Sequence, residues 1–334
     1  MTRRTVHLPV AAQASIRDFT DVAERAAELG YDRAWFPETW GRDAPTVLAA
    51  IADRTDDIGI GTSIVNTYSR SPALVGQTAA TLQEHSGGRF RLGIGPSGPA
   101  VVQGWHGRDF ERPLRRTREY VEVLRRVLSG EQVDYDGDTV QTRGFRLRQD
   151  PPAPAPPIDV TGMGPKAVEL AGRFADGWHA LMFTEDGLRD RLDDLRRGAD
   201  LGDRDADDVR TTLVLPCCAL PDGDAARDLA RQHLAFYVGG MGDFYRDALA
   251  RQGHEAAAHD VHDAWQAGDR ERATGLVDDG LLDALAAAGT PAEVRERLDE
   301  FAAVEGVDAI AVSFPRAADS PVIDATLEAV APDR

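Results

Sequence analysis

Four short glycine-containing segments carry residue types that suit the binding of phosphates and flat rings. In chain order they read "GTSIVN" (61–66), "GIGPSG" (93–98), "TGMG" (161–164) and "MFTEDG" (182–187). Glycine lets a ligand approach backbone N–H groups closely, and a helix that starts just afterwards adds its positive end to an anion site. We therefore take these segments as the candidate ligand-binding residues.

The third segment is followed by the only lysine of a chain whose other basic side chains are all arginine. Pro165 suits the first turn of a helix. Gly162 and Gly164 leave backbone amides open, and Lys166 offers a compact, mobile positive charge. This spacing predicts a phosphate site at a helix start. The alternative is a lysine that opens a helix in solvent.

Short β-like runs alternate with amphipathic helical segments along the chain. Eight such units predict an α/β fold, a closed (β/α)8 TIM barrel with insertions, rather than a doubly wound open sheet. In that fold the C-terminal ends of the strands carry the chemistry, and the four segments lie at such ends. The predicted strands are TVHLPV, RAWFPE, IGIGTSIVN, FRLGIG, IDVTGM, GWHALMF, RTTLVLPCCAL and AIAVSF, with helices near 15–29, 44–53, 72–85, 113–129, 165–175, 185–199, from about 223, and 320–331.

Two stretches interrupt this alternation. Residues 131–157 indicate a β-hairpin around Asp136 and Gly137, followed by a stiff proline-rich connection. Residues from about 235 to 290 indicate a polar helical insertion. We expect a single domain over 1–334 that contains both.

The composition excludes several classes of partner. The net charge is −18 and the pI about 4.8, with acidic residues spread along the whole length, as in a salt-adapted protein. Such a surface repels polyanions, so neither nucleic acid nor a membrane is an expected partner. Cys217 and Cys218 are neighbours in a predicted strand and point to opposite faces, so no disulfide framework follows. With no signal peptide or membrane span predicted, we expect a cytoplasmic protein.

Two patterns in the sequence resemble known binding motifs but lack features that those motifs require. The segment 93–98 matches G-x-G-x-x-G, but Pro99 and a stretch without helical periodicity follow it, which argues against a nicotinamide-binding fold. The histidines at 254, 259 and 262 lack the H-E-x-x-H spacing. No metal site is predicted.

Three longer segments of the chain carry a family resemblance: "GTSIVNTYSRSPALVGQTAATLQEHSGGRFRLGIGPSG", "VTGMGPKAVELAGRFADGWHALMF" and "AAAGTPAEVRERL". They resemble the luciferase-like family of flavin- and deazaflavin-dependent proteins, and within it the F420-dependent methylenetetrahydromethanopterin reductases. The resemblance implies a barrel that binds coenzyme F420 across the strand ends, acts on a small-molecule substrate and forms at least a homodimer. It also implies a non-prolyl cis peptide between Ser63 and Ile64, and the acidic composition suits a haloarchaeal member.

The same resemblance implies roles for individual strand-end residues. By it, one group backs the deazaflavin ring, a second lines the pocket floor and a third holds the phosphodiester. The residues that back the ring are Ser63, Ile64, Asn66 and Thr67, and those that line the pocket floor are Gly95, Pro96 and Ser97. The residues that hold the phosphodiester are Gly162, Met163, Gly164 and Lys166, with Thr184 nearby. Thr39 and Thr62 complete the predicted cofactor-binding set.

F420 is a hydride carrier, so the implied reaction moves a hydride from reduced F420 to a methylene-tetrahydropterin or methylene-tetrahydrofolate and gives the 5-methyl form. Glu38, at the end of the second strand, and His7, near the end of the first, are the candidate catalytic residues. For His7 a packed strand histidine is the alternative.

The chain departs from the methanogen reductases at three places. They carry Asp-His where this chain has Glu38 and Thr39, an acid at the position of Gly98, and another acid near His7. Three alternatives therefore stay open: an F420-dependent dehydrogenase of another substrate, an FMN-dependent monooxygenase, and a barrel that binds without catalysis.

Overall fold

The computed structural model describes residues 2–10 and 15–332. The alternation of parallel strands and helices is that of a closed (β/α)8 barrel, which confirms the predicted fold class. The strands are β1 (Arg3–His7), β2 (Arg33–Phe36), β3 (Gly59–Thr62), β4 (Val65–Asn66), β5 (Phe90–Gly95), β6 (Val133–Asp136), β7 (Gln141–Phe145), β8 (Ile158–Thr161), β9 (Gly177–Leu181), β10 (Arg210–Ala219), β11 (Ala287–Gly289) and β12 (Ala309–Ser313).

The helices begin close to where the sequence predicts. Ser15, Asp43, Ser71 and Asp222 each accept a hydrogen bond from a first-turn amide of the helix that they precede. The helices are α1 (Ile16–Glu28), α2 (Ala44–Arg54), α3 (Pro72–His85), α4 (Pro113–Leu128), α5 (Pro165–Phe174), α6 (Glu185–Leu201), α7 (Gly223–Gly240), α8 (Asp243–Leu249), α9 (Glu255–Gln266), α10 (Arg270–Gly275), α11 (Asp279–Leu285), α12 (Pro291–Ala302) and α13 (Ser320–Ala329).

One short element is not predicted by the sequence. The stretch after Pro99 lacks 3.6-residue periodicity, yet it forms a π-helical turn from Ala100 to Trp105. The His106 amide donates to the Val101 carbonyl at 3.1 Å, the i to i+5 spacing of such a turn. A search for α-helical periodicity misses a turn of this kind.

The first of two compact units comprises residues 33–179 and 193–210. In it, β2, β3, β5, β8 and β9 pair in parallel in that order, so their C-terminal ends share one edge. The strands approach closely at Gly93, where a Cβ would overlap the Thr62 carbonyl oxygen. The predicted hairpin is present as β6 and β7, with Asp136 paired to Gln141.

The second unit comprises residues up to 32, 180–192 and 211–334, of which the structure describes the parts stated above. Its strands pair in parallel in the order β11, β10, β12, β1. Between 241 and 286 the chain forms α8 to α11, which pack with α7 around buried Leu234, Val238, Val261 and Leu282. Cys217 and Cys218 are buried free thiols in β10. A single domain over the whole chain stays a prediction.

His233 is a buried titratable group of this second unit. Its Nδ1 accepts the backbone N–H of Arg316 at 3.2 Å, and its ring packs on Tyr237 with centroids 4.7 Å apart. Burial, helped by the charges of Arg316 and His7, lowers the pKa of His233 to about 3. The folded protein therefore keeps this imidazole neutral at a pH where the unfolded chain protonates it.

We expect His233→Gln to make stability less sensitive to acid. The free energy of unfolding of the unmodified protein falls as pH drops below about 6.5, because only the unfolded chain takes up the His233 proton, and it continues to fall toward pH 3. This one group accounts for about 2 kcal/mol at pH 5. Denaturant titrations of both proteins at pH 7.5 and pH 5 measure the difference. An identical pH dependence in the glutamine variant would contradict a neutral His233.

Candidate functional site

The predicted ring-binding residues meet at the C-terminal edge of the first unit. Thr62 ends β3, Ser63 and Ile64 form the bulge between β3 and β4, and Gly95 ends β5. A Cβ added at Gly95 would press on Thr161 of β8 and lie 3.3 Å from the Ile64 side chain. A glycine at position 95 therefore lets the ends of β3, β5 and β8 come together.

The bulge is held by hydrogen bonds to its neighbours. The peptide between Ser63 and Ile64 is cis, as the resemblance implies. The Ser63 amide donates to the Phe36 carbonyl at 2.9 Å. Thr62 Oγ1 donates to the Gly93 carbonyl and accepts the Gly93 amide, each at 2.8 Å. The direction of the Ser63 side chain is thus fixed from two neighbouring strands.

Two buried polar atoms beside the bulge lack a hydrogen-bond partner among the described residues. They are Asn66 Nδ2 and Thr67 Oγ1. Asn66 Oδ1 is satisfied by the Tyr68 amide at 2.7 Å, and the Thr67 amide by the Gly95 carbonyl at 2.9 Å. A buried unsatisfied group costs about 1–3 kcal/mol, so these two atoms indicate a place where a polar ligand edge would pair with the protein.

Sequence reasoning missed a row of hydrogen-bonded side chains that ends at Ser63. Ser63 Oγ lies 2.9 Å from His179 Nδ1, and His179 Nε2 lies 3.1 Å from Asp159 Oδ2. Arg91 Nε lies 2.9 Å and 2.7 Å from the two Asp159 oxygens. We call these four residues the polar row. The sequence feature that could have indicated the row is a charged or titratable side chain in each of three largely apolar strands: Arg91 in β5, Asp159 in β8 and His179 in β9.

Glu38 lies just after β2, and its carboxylate is paired. Arg70 donates to both of its oxygens, one of them at 3.0 Å, and the Ala44 amide donates at 2.8 Å. The hydrogen bond to Glu38 raises the pKa of Arg70 above its ordinary value. The sequence predicted the Glu38 carboxylate but not its partner Arg70. The hydroxyl of Tyr120 donates to the backbone carbonyl of Arg70 at 2.9 Å.

A cleft of about 630 Å³ adjoins this ion pair in the same unit. Arg70 lines it, so the cleft begins at the residue that contacts Glu38. Arg116, another lining residue, is bound to the backbone carbonyls of Thr67 and Thr139 at 2.9 Å each rather than to an acid. The lining residues are Tyr68, Ser69, Arg70, Ser71, Arg108, Asp109, Glu111, Arg112, Arg116, Asp138 and Thr139.

The predicted phosphate site lies at the start of α5. Gly164 is its N-cap, with nothing within 4 Å of the position a Cβ would take, and Pro165 is in its first turn. Lys166 is 73% exposed and its ammonium pairs with Glu169 at 2.9 Å. Glu169 also contacts Arg197 at 3.4 Å. In the structure, Lys166 is therefore a solvent-exposed lysine in the first turn of a helix, as the alternative interpretation predicts. A phosphate-binding role for Lys166 stays a prediction, and it requires the side chain to turn away from Glu169.

The remaining predicted site residues divide between the two units. In the first, Thr39, Pro96, Ser97 and Met163 are half-buried beside strand ends. In the second, His7 ends β1, and its charge adds to burial and to Arg316 in lowering the pKa of His233. Thr184 caps α6, because its Oγ1 accepts the Gly187 amide at 3.0 Å while its own amide donates to Gln252 Oε1 at 2.8 Å.

Over residues 2–10 and 15–332, no helix is both long and apolar enough to cross a membrane. The same residues contain no group of three or more His, Cys, Asp or Glu side chains arranged to hold a metal ion.

Comparison with known proteins gives consistent likenesses. The family described as "Luciferase-like monooxygenase" matches residues 2–308. A protein of Mycobacterium tuberculosis named as a coenzyme F420-dependent oxidoreductase is 31% identical over 84% of this chain and 86% of its own length. The 5,10-methylenetetrahydromethanopterin reductase of Methanolobus tindarius is 32% identical over 88% of this chain and 89% of its own. The solved F420-dependent tetrahydromethanopterin reductase of Methanopyrus kandleri has a TM-score of 0.85 at 25% identity, covering 99% of this chain and 97% of its own.

The residues at the strand ends fit a deazaflavin cofactor. Unpaired Asn66 Nδ2 and Thr67 Oγ1 offer hydrogen bonds to a polar ring edge. Half-buried Ser63 and Ile64 offer a surface beside them, and the open N-cap at Gly164 offers backbone amides to a phosphate. These residues would hold the ring and the phosphodiester of F420.

We expect Lys166→Ala to weaken F420 binding by about 1–3 kcal/mol, the range of a charge-assisted hydrogen bond, without unfolding the protein. The lysine is itself exposed where it contacts half-buried Glu169, and ion pairs at the surface contribute little to stability. Fluorescence titration with F420 at fixed salt measures the change. Arg173→Ala removes the same charge from the other end of α5 and serves as the matched control. Equal F420 affinity in the Lys166 variant and this control would leave Lys166 a solvent-exposed residue only.

Proposed function

This chain belongs to the luciferase-like family and is a coenzyme F420-dependent oxidoreductase, and we propose that it reduces a methylene-tetrahydropterin or methylene-tetrahydrofolate to the 5-methyl form. The observation that carries the proposal is the likeness, over nearly the whole chain, to a relative and a solved structure that are both named as reductases of this pterin class. Reduced F420, when bound, supplies the hydride.

Glu38 suits the binding of a cationic substrate group. A methylene-tetrahydropterin reacts through an iminium, and a carboxylate at the strand ends would stabilise that cation and orient the amine that remains. Arg70 keeps the Glu38 side chain in one position and compensates part of its charge, while Oε1 keeps an acceptor position that neither Arg70 nor the Ala44 amide occupies. The carboxylate is therefore oriented before the substrate arrives.

Arg70 also supports a substrate with an anionic tail. Its guanidinium has five N–H donors, more than its contacts with Glu38 use, and Arg70 also lines the cleft. Arg108 and Arg116 line the same cleft. A C1 carrier with carboxylate or phosphate groups on its tail would find cations there, in a protein whose net charge is otherwise strongly negative.

An anaerobic assay that follows oxidation of reduced F420 tests the reaction. We expect consumption of methylene-tetrahydromethanopterin or methylene-tetrahydrofolate, each tested in turn. Reverse assays with oxidised F420 and glucose 6-phosphate or a secondary alcohol form the comparison arms. Turnover of either of these and of neither C1 donor would overturn the C1 assignment and leave the F420-dependent oxidoreductase class intact.

We expect Glu38→Gln to lower turnover about 10²-fold or more while F420 affinity changes little, since an oriented charge stabilises the reacting cation and does not contact the cofactor. Steady-state kinetics and F420 titration on the same preparation separate the two effects. Glu122→Gln is the matched control, because it removes a half-buried carboxylate that pairs with Arg118 at 2.8 Å on α4. Equal losses in both variants would assign the Glu38 effect to stability.

Two other assignments have support of their own. The departures at Glu38, Thr39, Gly98 and His7 favour an F420-dependent dehydrogenase of another substrate. The description of the family as a luciferase-like monooxygenase favours an FMN-dependent monooxygenase. Absorbance of the protein after mixing with each cofactor separates the second case, because F420 and FMN absorb in different regions.

We further infer a salt-adapted, cytoplasmic homodimer of this protein. The −18 charge of each copy opposes association at low ionic strength and is screened at high salt. Sedimentation should therefore show a dimer that is favoured in molar salt. A monomer across the whole salt range would contradict the assembly.

A further inference from the structure

The polar row (Arg91, Asp159, His179, Ser63) has a defined position for each of its hydrogens. Burial by itself would raise the pKa of Asp159, but the Arg91 charge and the hydrogen bonds from His179 and Arg91 hold that pKa well below its usual range. Asp159 is therefore a carboxylate that only accepts hydrogen bonds. The hydrogen in its contact with His179 must then lie on His179 Nε2.

The charges of the row determine the state of the imidazole. Arg91 and Asp159 cancel each other, and Asp159 is 1% and His179 2% exposed. An imidazolium would add an uncompensated positive charge at this buried place, which is unfavourable. A neutral ring with its hydrogen on Nε2 leaves Nδ1 as an acceptor, so the Ser63 hydroxyl donates its hydrogen to Nδ1. Trp35 packs against the imidazole edge-on with centroids 4.5 Å apart and restricts its rotation.

Ser63 is the member of the row that reaches the strand-end surface, since it is half-buried while the other three are buried. Its hydrogen is engaged inward, so toward a ligand its Oγ can only accept. A flavin has an unprotonated nitrogen at ring position 5 when oxidised, and a 5-deazaflavin has a C–H at that position. A lone pair facing Oγ is repelled, whereas a C–H of an electron-poor ring is weakly attracted.

We propose that the polar row makes Ser63 a hydrogen-bond acceptor toward the cofactor ring and thereby selects a 5-deazaflavin over a flavin. Arg91, Asp159 and His179 are positioning residues in this account, because they act through Ser63. The proposal rests on the ring lying against the bulge with ring position 5 toward Ser63 Oγ, and it is independent of which substrate is reduced.

The row has the same order of groups as the Ser-His-Asp triad of hydrolases. The difference lies in Asp159, whose two oxygens are both bound by Arg91, so its charge is already compensated and is less able to stabilise an imidazolium. We expect no reaction of Ser63 with a fluorophosphonate. Covalent labelling at Ser63 would contradict the acceptor role and indicate a nucleophile.

FMN and 5-deaza-FMN form a matched pair of probes, because they differ only at ring position 5. In fluorescence titrations, and by competition against F420 where binding is weak, the unmodified protein should bind 5-deaza-FMN roughly tenfold more tightly than oxidised FMN. Ser63→Ala should remove most of that preference. Ser86→Ala, a buried serine at the end of α3, should retain it. Equal affinities in the unmodified protein, or a preference that survives Ser63→Ala, would overturn the proposal.

Imidazole ¹⁵N spectra of the free protein test the hydrogen positions directly. The His179 signal is assigned by its loss in His179→Gln. It should show a neutral ring with the hydrogen on Nε2. An imidazolium, or a hydrogen on Nδ1, in the unmodified protein would overturn the proposal. Neither this measurement nor the titrations use a substrate, so failure of the C1 assay leaves both results interpretable.

Discussion

The buried ion pair between Arg91 and Asp159 is the interaction on which the candidate site depends. Removing two charges from water is costly, and it is offset only if every donor and acceptor of the pair is satisfied. Arg91 therefore binds both Asp159 oxygens and the Asp176 carbonyl, the last at 2.7 Å. His179 Nε2 occupies a further acceptor position on Asp159 Oδ2. The orientation of His179 then determines what Ser63 does at the surface, so a charge pair in the strand interior controls a hydroxyl at the strand end.

Close approach of the strands is the second constraint, and glycine makes it feasible. A Cβ at Gly93 would overlap the Thr62 carbonyl, and a Cβ at Gly61 would overlap the Trp35 ring. The resulting spacing lets Thr62 bridge to Gly93 and lets Trp35 reach His179. Small residues at these positions thus serve the packing of the site as well as ligand access. The unpaired Asn66 and Thr67 atoms lie in the segment that follows, where the same edge offers hydrogen bonds to a ligand.

The sequence predicted the fold because its signals are local. Each β-like run and each amphipathic helical segment is visible within a short window of the chain, and their alternation predicted the barrel and the helix starts. The polar row left no such signal. Ser63 and His179 are 116 residues apart and Arg91 and Asp159 are 68 apart, so only the closed arrangement of strands brings them together. Arg70 was missed for the same reason, being 32 residues from Glu38. Lys166 was noticed for its rarity, and its contact with Glu169 could not be distinguished from a phosphate contact by spacing alone.

The central claim is that the cofactor ring lies on the bulge at Ser63 and Ile64. A crystal structure of the complex with F420 measures this directly. The account predicts that the deazaflavin packs against Ser63 and Ile64, with Ser63 Oγ still within hydrogen-bond distance of His179 Nδ1, and that Asn66 Nδ2 and Thr67 Oγ1 acquire partners on the ligand or its bound water. A ring bound elsewhere, with those two atoms still unpaired, would contradict it.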